Sequence, residues 1–145
     1  MTDRATERIT IDAAPERCFE VALDFEHYPV WAADIKEVKV LDRDEAGRGT
    51  RVAYRAGAMG RSAHYTLAYE YGDAPLSMQW VLEEGDIMRR LDGEYRFEAA
   101  DGAGTEVTYE LVVELVVPLP GFMKRRAESK IMGTALRELK RRVES

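Results

Sequence analysis

The stretch RGTRVAYRAGAMGRSAHYTLAYEYGDAPLSMQWVLEEGDIMRRLDGEYRFEAADGAGTEVTYELVVELVV, from Arg48 to Val117, decides the fold of this chain. Apolar and polar residues alternate through it in runs, and such alternation predicts β-strands that each bury one face. Turn signals rich in Gly, Pro and Asp separate the runs. These signals lie at 57–60, 72–75, 84–86 and 101–104. The stretch therefore predicts four or five strands that follow one another as an antiparallel meander.

Elements on either side complete the pattern. Glu7–Asp12 predicts a first strand and Ile35–Leu41 a second, with a helix from Pro15 and a short helix after Pro29 between them. Pro120–Val143 predicts one long amphipathic helix. We expect an α+β fold in which a curved sheet of about seven strands wraps around this helix and leaves a pocket. The predicted buried stripe of the helix is Met123, Ala127, Ile131, Ala135, Leu139 and Val143.

Length and composition favour one globular domain over residues 1–145. The apolar share is 46% and the charged share is 33%, which is ordinary for a folded domain. No apolar run approaches the length of a membrane span, and residues 1–8 lack the apolar stretch of a secretory signal. Cys18 is the one cysteine, so no internal disulfide can form. We expect a cytoplasmic protein.

Charge is unevenly distributed. The net charge is −6, but the region from Gly121 onward is basic and the rest is strongly acidic. A basic helix on an acidic body is one feature of proteins that bind RNA or ribosomes. A solvated amphipathic helix with cations near its C-terminus explains the same pattern. We therefore expect no nucleic-acid partner, and we keep a ribosome contact as an alternative.

Alternation assigns side chains to the two faces of each strand. The residues predicted to face solvent include Arg51, Arg55, His64, Thr66, Glu70, Glu106, Thr108, Glu110 and Glu114. The inward prediction includes one charged residue, Arg89, which must lie at a rim, pair with an acid or meet a polar ligand group because an unpaired buried charge is costly. The inward set is Val52, Tyr54, Tyr65, Leu67, Tyr69, Leu76, Met78, Trp80, Leu82, Arg89, Leu91, Tyr95, Phe97, Val107, Tyr109, Leu111, Val113 and Leu115.

Little in the sequence points to a reaction centre. His27, His64 and Cys18 lack the compact spacing of a zinc site, so we expect no metal and no cofactor. G-x-S-x-G, H-E-x-x-H and phosphate-binding glycine motifs are missing from the sequence. No catalytic residue is assigned.

Three local motifs resemble one family. Pro15–Val21 resembles the start of the first helix in START-like proteins, and Asp24–Trp31 resembles their D-x-x-x-Y-P-x-W signature. Leu91–Phe97, followed by Gly104–Tyr109, resembles their G-x-W/Y-x-F and G-T-x-V-T-Y hairpin. In this order the motifs resemble the polyketide cyclase/dehydrase and coenzyme-Q-binding branch of the helix-grip (SRPBCC) superfamily.

The resemblance implies a hydrophobic cavity between sheet and helix, but no single reaction. We expect binding of a lipid, isoprenoid quinone or polyketide-like molecule by a monomer or homodimer. A polyketide aromatase/cyclase or dehydratase is the alternative, and a ribosome- or protein-interacting toxin-like module is a second one. The candidate ligand-binding residues are Trp31, Tyr54, Tyr69, Trp80, Arg89, Tyr95, Tyr109, Phe122, Met123 and Ala127.

Overall fold

A computed structural model describes residues 4–58, 61–102, 104–116 and 120–145 of the chain. Seven strands, two short α-helices, one turn of 3-10 helix and one long α-helix follow one another. Their bounds are β1 Ala5–Ile11, α1 Pro15–Leu23, the 3-10 turn Phe25–His27, α2 Tyr28–Trp31, β2 Ile35–Arg43, β3 Gly49–Ala58, β4 Arg61–Asp73, β5 Leu76–Gly85, β6 Met88–Ala99, β7 Thr105–Leu115 and α3 Gly121–Glu144.

The strands form one curved antiparallel sheet in the order β1-β7-β6-β5-β4-β3-β2. β2 to β7 are thus a meander of consecutive neighbours, and β1 pairs with β7. α3 packs across β1 and β7, and α1 packs against α3. The predicted helix-grip architecture is confirmed. Parts of the predicted turns, at 59–60 and 103, and the predicted strand end at 117 lie outside the described residues.

The short helices follow from their prolines. α1 begins at Pro15, where the missing N–H of proline costs no hydrogen bond. α2 begins at Tyr28, before Pro29 rather than after it as predicted, because proline fits within the first turn of a helix. None of the helices in the described residues combines the length and apolar character that a membrane span needs.

The inward row of the sheet forms the core together with α1 and α3. Val52, Met78, Phe97, Val107 and Leu111 are almost fully buried, as alternation predicts. On the outer face, the predicted exposure of two arginines is supported by their ion pairs, which are Arg51 with Asp42 and Arg55 with Glu37, each at 2.9 Å.

Two residues predicted to face outward depart from the prediction. Thr66 is 5% exposed, beside the register shift between β4 and β5 that interrupts the alternation. Thr108 is only 2% exposed although its strand position faces outward. Its cross-strand neighbours are Arg8 on β1 and Arg96 on β6. Arginine stems lie along the surface around them, so a small side chain between two arginines on a central strand is covered. The prediction that Thr108 faces solvent is therefore wrong.

The buried stripe of α3 also differs from the prediction. Met123 and Ile131 are 42% and 44% exposed, and Ala127 and Ala135 are half-buried. A strict four-residue step gains about 40° per step on a helix of 3.6 residues per turn, or about 200° between Val143 and Met123. The predicted stripe therefore winds away from the sheet. The fully buried residues are Glu128, Met132, Leu136, Leu139 and Val143.

Candidate functional site

The concave face of the sheet carries a continuous group of aromatic rings. Tyr95 lies at the centre, with its ring centroid 4.5 Å from that of Tyr109 and 5.3 Å from that of Trp80. Tyr69 extends the group from Trp80, at 5.8 Å, toward β3. These contacts arise because Tyr95 and Tyr109 are direct cross-strand partners. The structure thus brings together four of the predicted site residues, Tyr69, Trp80, Tyr95 and Tyr109.

A glycine makes room for the indole ring in this group. Gly93 on β6 is the cross-strand partner of Trp80. A Cβ atom at Gly93 would lie 2.5 Å from Cζ2 of Trp80 and 2.8 Å from the carbonyl oxygen of Glu110. Only glycine permits such a close approach. The glycine of the predicted hairpin motif therefore sets the position of Trp80 over the sheet.

The tyrosine hydroxyls fall into two groups. Tyr54 and Tyr69 hydrogen-bond to each other at 2.5 Å. Tyr28 donates to the carbonyl oxygen of Ala22, and Tyr71 to that of Gly49. Within the part of the chain that the structure describes, the hydroxyls of three others make no hydrogen bond; these three are Tyr65, Tyr95 and Tyr109.

The unbonded hydroxyls lie in one electrostatic neighbourhood. Burial raises the pKa of Tyr109, and the nearby hydroxyls of Tyr95 and Tyr65 raise it further. Burial is also the largest cause of the raised pKa of Tyr95, with contributions from Tyr28, Glu138 and Tyr65. Among the described residues, Oε2 of Glu128 is the one fully buried side-chain nitrogen or oxygen without a hydrogen-bond partner, so these three hydroxyls are not completely enclosed by the protein. The face therefore offers hydrogen-bonding groups that the protein itself does not use.

The remaining predicted wall residues lie in different surroundings. Trp31, at the end of α2, is half-buried with its ring centroid 5.0 Å from that of Tyr28. Ala127 is half-buried on α3. Phe122 is 62% exposed and Met123 is 42% exposed in the first turn of α3. The predicted burial of Met123 is wrong, and a contact of either residue with a ligand remains a prediction.

The predicted inward position of Arg89 is wrong. The pairing between β6 and β7 shifts between Met88 and Arg90, so that Met88 lies opposite Leu115 on the inward row. Arg89 is the extra residue of this irregularity and is exposed. A bulge interrupts the period of two on which the prediction rested. Arg90, next to it, pairs with Asp92 at 2.7 Å.

One inward polar residue escaped the sequence analysis. Glu128 on α3 is 4% exposed, and its Oε2 atom has no hydrogen-bond partner. The signal was present in the helical period, since Glu128 lies four residues before Met132 and eight before Leu136. Fixing the stripe on Ala127 and Ile131 placed Glu128 on the wrong face.

The other titratable candidates have structural surroundings. Cys18 is fully buried, and burial raises the pKa of its thiol. His27 and His64 are exposed and paired with Asp24 at 2.8 Å and Asp86 at 3.2 Å. Among the described residues, no group of three or more His, Cys, Asp or Glu is arranged to hold a metal ion.

A shallow depression of about 350 Å³ opens beside the aromatic group. It lies where β3, β4 and β5 adjoin, and Tyr54 and Tyr65 contribute to its lining together with the pair formed by His64 and Asp86. Tyr54 and Tyr65 stack with their ring centroids 5.2 Å apart. Residues at outward strand positions, among them Ala53 and Thr66, complete its lining.

Comparison with known proteins gives a consistent picture. The family model described as polyketide cyclase/dehydrase and lipid transport matches residues 2–144. Among curated proteins, none matches the chain. The fold is similar to that of a START superfamily protein from Mycobacterium smegmatis, with a TM-score of 0.90, 23% identity and 97% of each chain covered.

Two further solved structures share the fold. A protein from Thermus thermophilus has a TM-score of 0.80 and 28% identity over 97% of each chain. The ZhuI aromatase/cyclase from Streptomyces sp. R1128 has a TM-score of 0.82 and 14% identity, with 99% of this chain and 94% of that chain covered. At these identities the first and third similarities concern the fold.

Proposed function

Because the chain belongs to the polyketide cyclase/dehydrase and lipid-transport family, we propose that it binds a hydrophobic small molecule between the concave face of its sheet and α3. A lipid, an isoprenoid quinone or a polyketide-like compound is the proposed ligand class. The carrying observation is the aromatic face with its unbonded hydroxyls on Tyr65, Tyr95 and Tyr109. Ligand sites are mostly apolar with a few convergent polar groups, and this face has that composition.

The proposed binding mode assigns roles to these groups. The rings of Trp80, Tyr95 and Tyr109 provide flat apolar contact, which stabilises a bound ligand by about 25 cal/mol per Å² of surface removed from water. A tyrosine hydroxyl donates a hydrogen bond to a carbonyl oxygen of a quinone or polyketide. A tyrosine is protonated at neutral pH, and burial raises the pKa of Tyr95 and Tyr109 further above the usual value of 10.0, so both hydroxyls are available as donors.

Fluorescence of a single tryptophan tests this function. In the Trp31→Phe variant Trp80 is the only tryptophan, because the chain has two. A short-chain isoprenoid quinone and an anthraquinone are titrated as probes, and native mass spectrometry of protein from its own host searches for a co-purifying apolar metabolite. We expect saturable quenching of Trp80. If neither probe nor any co-purified metabolite affects Trp80, the proposed site is wrong.

Two tyrosine variants provide the matched comparison. Tyr109→Phe removes an unbonded hydroxyl, so it should weaken quinone binding by about two- to tenfold, the equivalent of about 0.5–1.5 kcal/mol for one neutral hydrogen bond. Tyr71→Phe removes a hydroxyl that is already bonded to Gly49. It should reduce stability and leave the affinity unchanged. Equal affinity losses in both variants would contradict a direct role for Tyr109.

Glu128 favours a second candidate function, that of an aromatase/cyclase or dehydratase. Such a reaction needs an acid–base group inside the cavity, and Glu128 is the one buried carboxylate among the described residues. Incubation with a linear poly-β-ketone chain and product analysis distinguishes the two functions. Binding without turnover supports the carrier, and ring formation that depends on Glu128 supports the enzyme.

A further inference from the structure

Glu128 is an acid buried in the free protein without a full set of partners. Its side chain is 4% exposed. Among the buried side-chain nitrogen and oxygen atoms of the described residues, Oε2 of Glu128 is the one that has no hydrogen-bond partner. Buried polar atoms are normally hydrogen-bonded. This atom therefore calls for an explanation.

The position of Glu128 directs it toward the interior. It lies one turn before Met132 on the face of α3 that continues through Leu136 and Leu139 into the core. Within the described residues, α3 contributes to the apolar core only from Met132 onward. Glu128 thus occupies the point where the packed half of the helix gives way to its N-terminal half.

Its distance from the fixed end of α3 follows from the helix geometry. Lys140 is fixed at the end of β1, where its Nζ donates to the carbonyl oxygen of Thr10 at 2.7 Å. Glu128 lies twelve residues earlier, about 18 Å along the helix axis. Among the strands, α3 packs on β1 and its neighbour β7. Glu128 therefore lies well away from the anchored end, on the helix that covers this side of the sheet.

An unpartnered acceptor at this place reduces the stability of the free protein. A methionine of similar length would avoid that cost and extend the apolar stripe. A hydrogen-bond donor on the ligand would pair with Oε2 and remove this cost in the complex. The free energy that the unpartnered atom takes from folding would then strengthen ligand binding. Binding sites commonly lower the stability of the free protein in this way.

We propose that Glu128 accepts a hydrogen bond from the bound ligand and so selects apolar molecules that carry a donor, a hydroxyl or a protonated amine. This assignment rests on the proposed binding function and narrows its ligand class. An apolar molecule that carries only hydrogen-bond acceptors, such as a fatty acid anion or an ether, leaves Oε2 of Glu128 without a partner. Such a molecule binds more weakly than an otherwise similar molecule that carries a hydrogen-bond donor.

Four probes with nearly the same alkyl chain separate these cases: dodecanol, dodecylamine, dodecyl methyl ether and tridecanoate. Their affinities for the whole wild-type chain are measured by calorimetry below the critical micelle concentrations. We expect dodecanol and dodecylamine to bind about tenfold or more tightly than the ether and the carboxylate. A stronger preference for the amine than for the alcohol would identify a cationic ligand head group, and the reverse a neutral one.

Two variants of Glu128 test whether it is the cause. Glu128→Met should abolish the preference for donors and raise the melting temperature, since it removes an unpartnered polar atom. Glu128→Gln keeps an acceptor oxygen, so dodecanol should retain its preference over the ether, and this variant serves if the methionine variant does not fold. Glu138→Met is the matched control on the same helix. Its carboxylate already accepts the N–H of Ala33 at 3.1 Å, so this change should reduce stability and leave the order of affinities unchanged.

The outcomes distinguish this inference from the function on which it rests. If none of the four probes binds the wild-type protein while Trp80 responds to quinones, the binding function stands and the donor preference is overturned. Equal binding of all four probes, or a donor preference that survives in Glu128→Met, also overturns the inference. If the fluorescence of Trp80 changes with none of the probes, the proposed binding function itself is wrong.

Discussion

Each of the seven tyrosines holds its phenolic proton more tightly than a tyrosine in water. Burial is the first cause of the raised pKa in every case, from the usual value of 10.0. In the unfolded chain the same groups lose their protons near pH 10. Folding therefore retains protons that unfolding releases above that pH. Stability from this source is fully present below pH 10 and is lost as the pH rises beyond it.

Alkaline titration followed by tyrosinate absorbance tests this expectation. Folded protein should show almost no phenolate at pH 10, and the signal should appear in one cooperative step together with the loss of circular dichroism. Protein unfolded in urea is the control and should titrate near the usual tyrosine pKa. If several tyrosines ionise at pH 10 while the circular dichroism is intact, the aromatic face is open to water.

Single residues of the site were only partly predictable. Alternation correctly brought Tyr69, Trp80, Tyr95 and Tyr109 together, because a regular strand fixes the face of each side chain. It failed at Arg89, because one bulged residue shifts the period and leaves no clear trace in the sequence. Glu128 was missed because a charged residue is assigned to solvent by default, and only the packed helix shows that its position is covered.

At the scale of the element, the two methionines of α3 allow a direct test of which face is buried. Met132 is 0% exposed and Met123 is 42% exposed. Met132→Ala should lower the free energy of unfolding by about 2–5 kcal/mol, because it leaves a cavity in the core. Met123→Ala should change it by no more than about 0.5 kcal/mol. Urea denaturation with unchanged m-values measures both effects, and equal losses would mean that the face is assigned wrongly.

The positions of the helices and strands in the sequence were well predicted, but the face that α3 turns toward the sheet was not. Pro15, the turn residues and the alternating runs place each strand and helix within a few residues, because these signals act locally. The face of α3 depends on where twenty-four residues of helix meet the sheet. A small angular error per turn accumulates over such a length. The predicted burial was therefore correct for Val143 at one end of the helix and wrong for Met123 at the other.

At the scale of the whole molecule, the seven strands form an open sheet, in which the edge strands β1 and β2 do not pair with each other. The order of elements together with three short motifs was enough to predict this architecture. The interior could not be predicted to the same depth, because it depends on approaches such as that of Gly93 to Trp80, between residues that are distant in sequence. The contact between the indole ring of Trp80 and the backbone at Gly93 exists only in the folded chain, so the sequence pattern does not reveal it.

The attachment of α3 is one-sided, and this has a consequence for the order in which the molecule opens. Its C-terminal half is fixed by four buried apolar residues and by two hydrogen bonds. Lys140 donates to the carbonyl oxygen of Thr10, and Glu144 accepts from the N–H of Asp12. The N-terminal half, from Gly121 to Ile131, has Glu128 as its one fully buried side chain. Segments with few buried apolar contacts open first.

We therefore expect the amide hydrogens of Gly121–Ile131 to exchange with deuterium much faster than those of Met132–Glu144, as mass spectrometry of peptides from α3 would show. Bound ligand should slow exchange in the first segment and leave the second unchanged. Uniform protection along α3 would mean that the helix moves only as a whole. Faster exchange ahead of Met132 would instead mean that this short stretch of helix opens while the packed half stays in place, and its opening rate would then limit how fast a ligand enters.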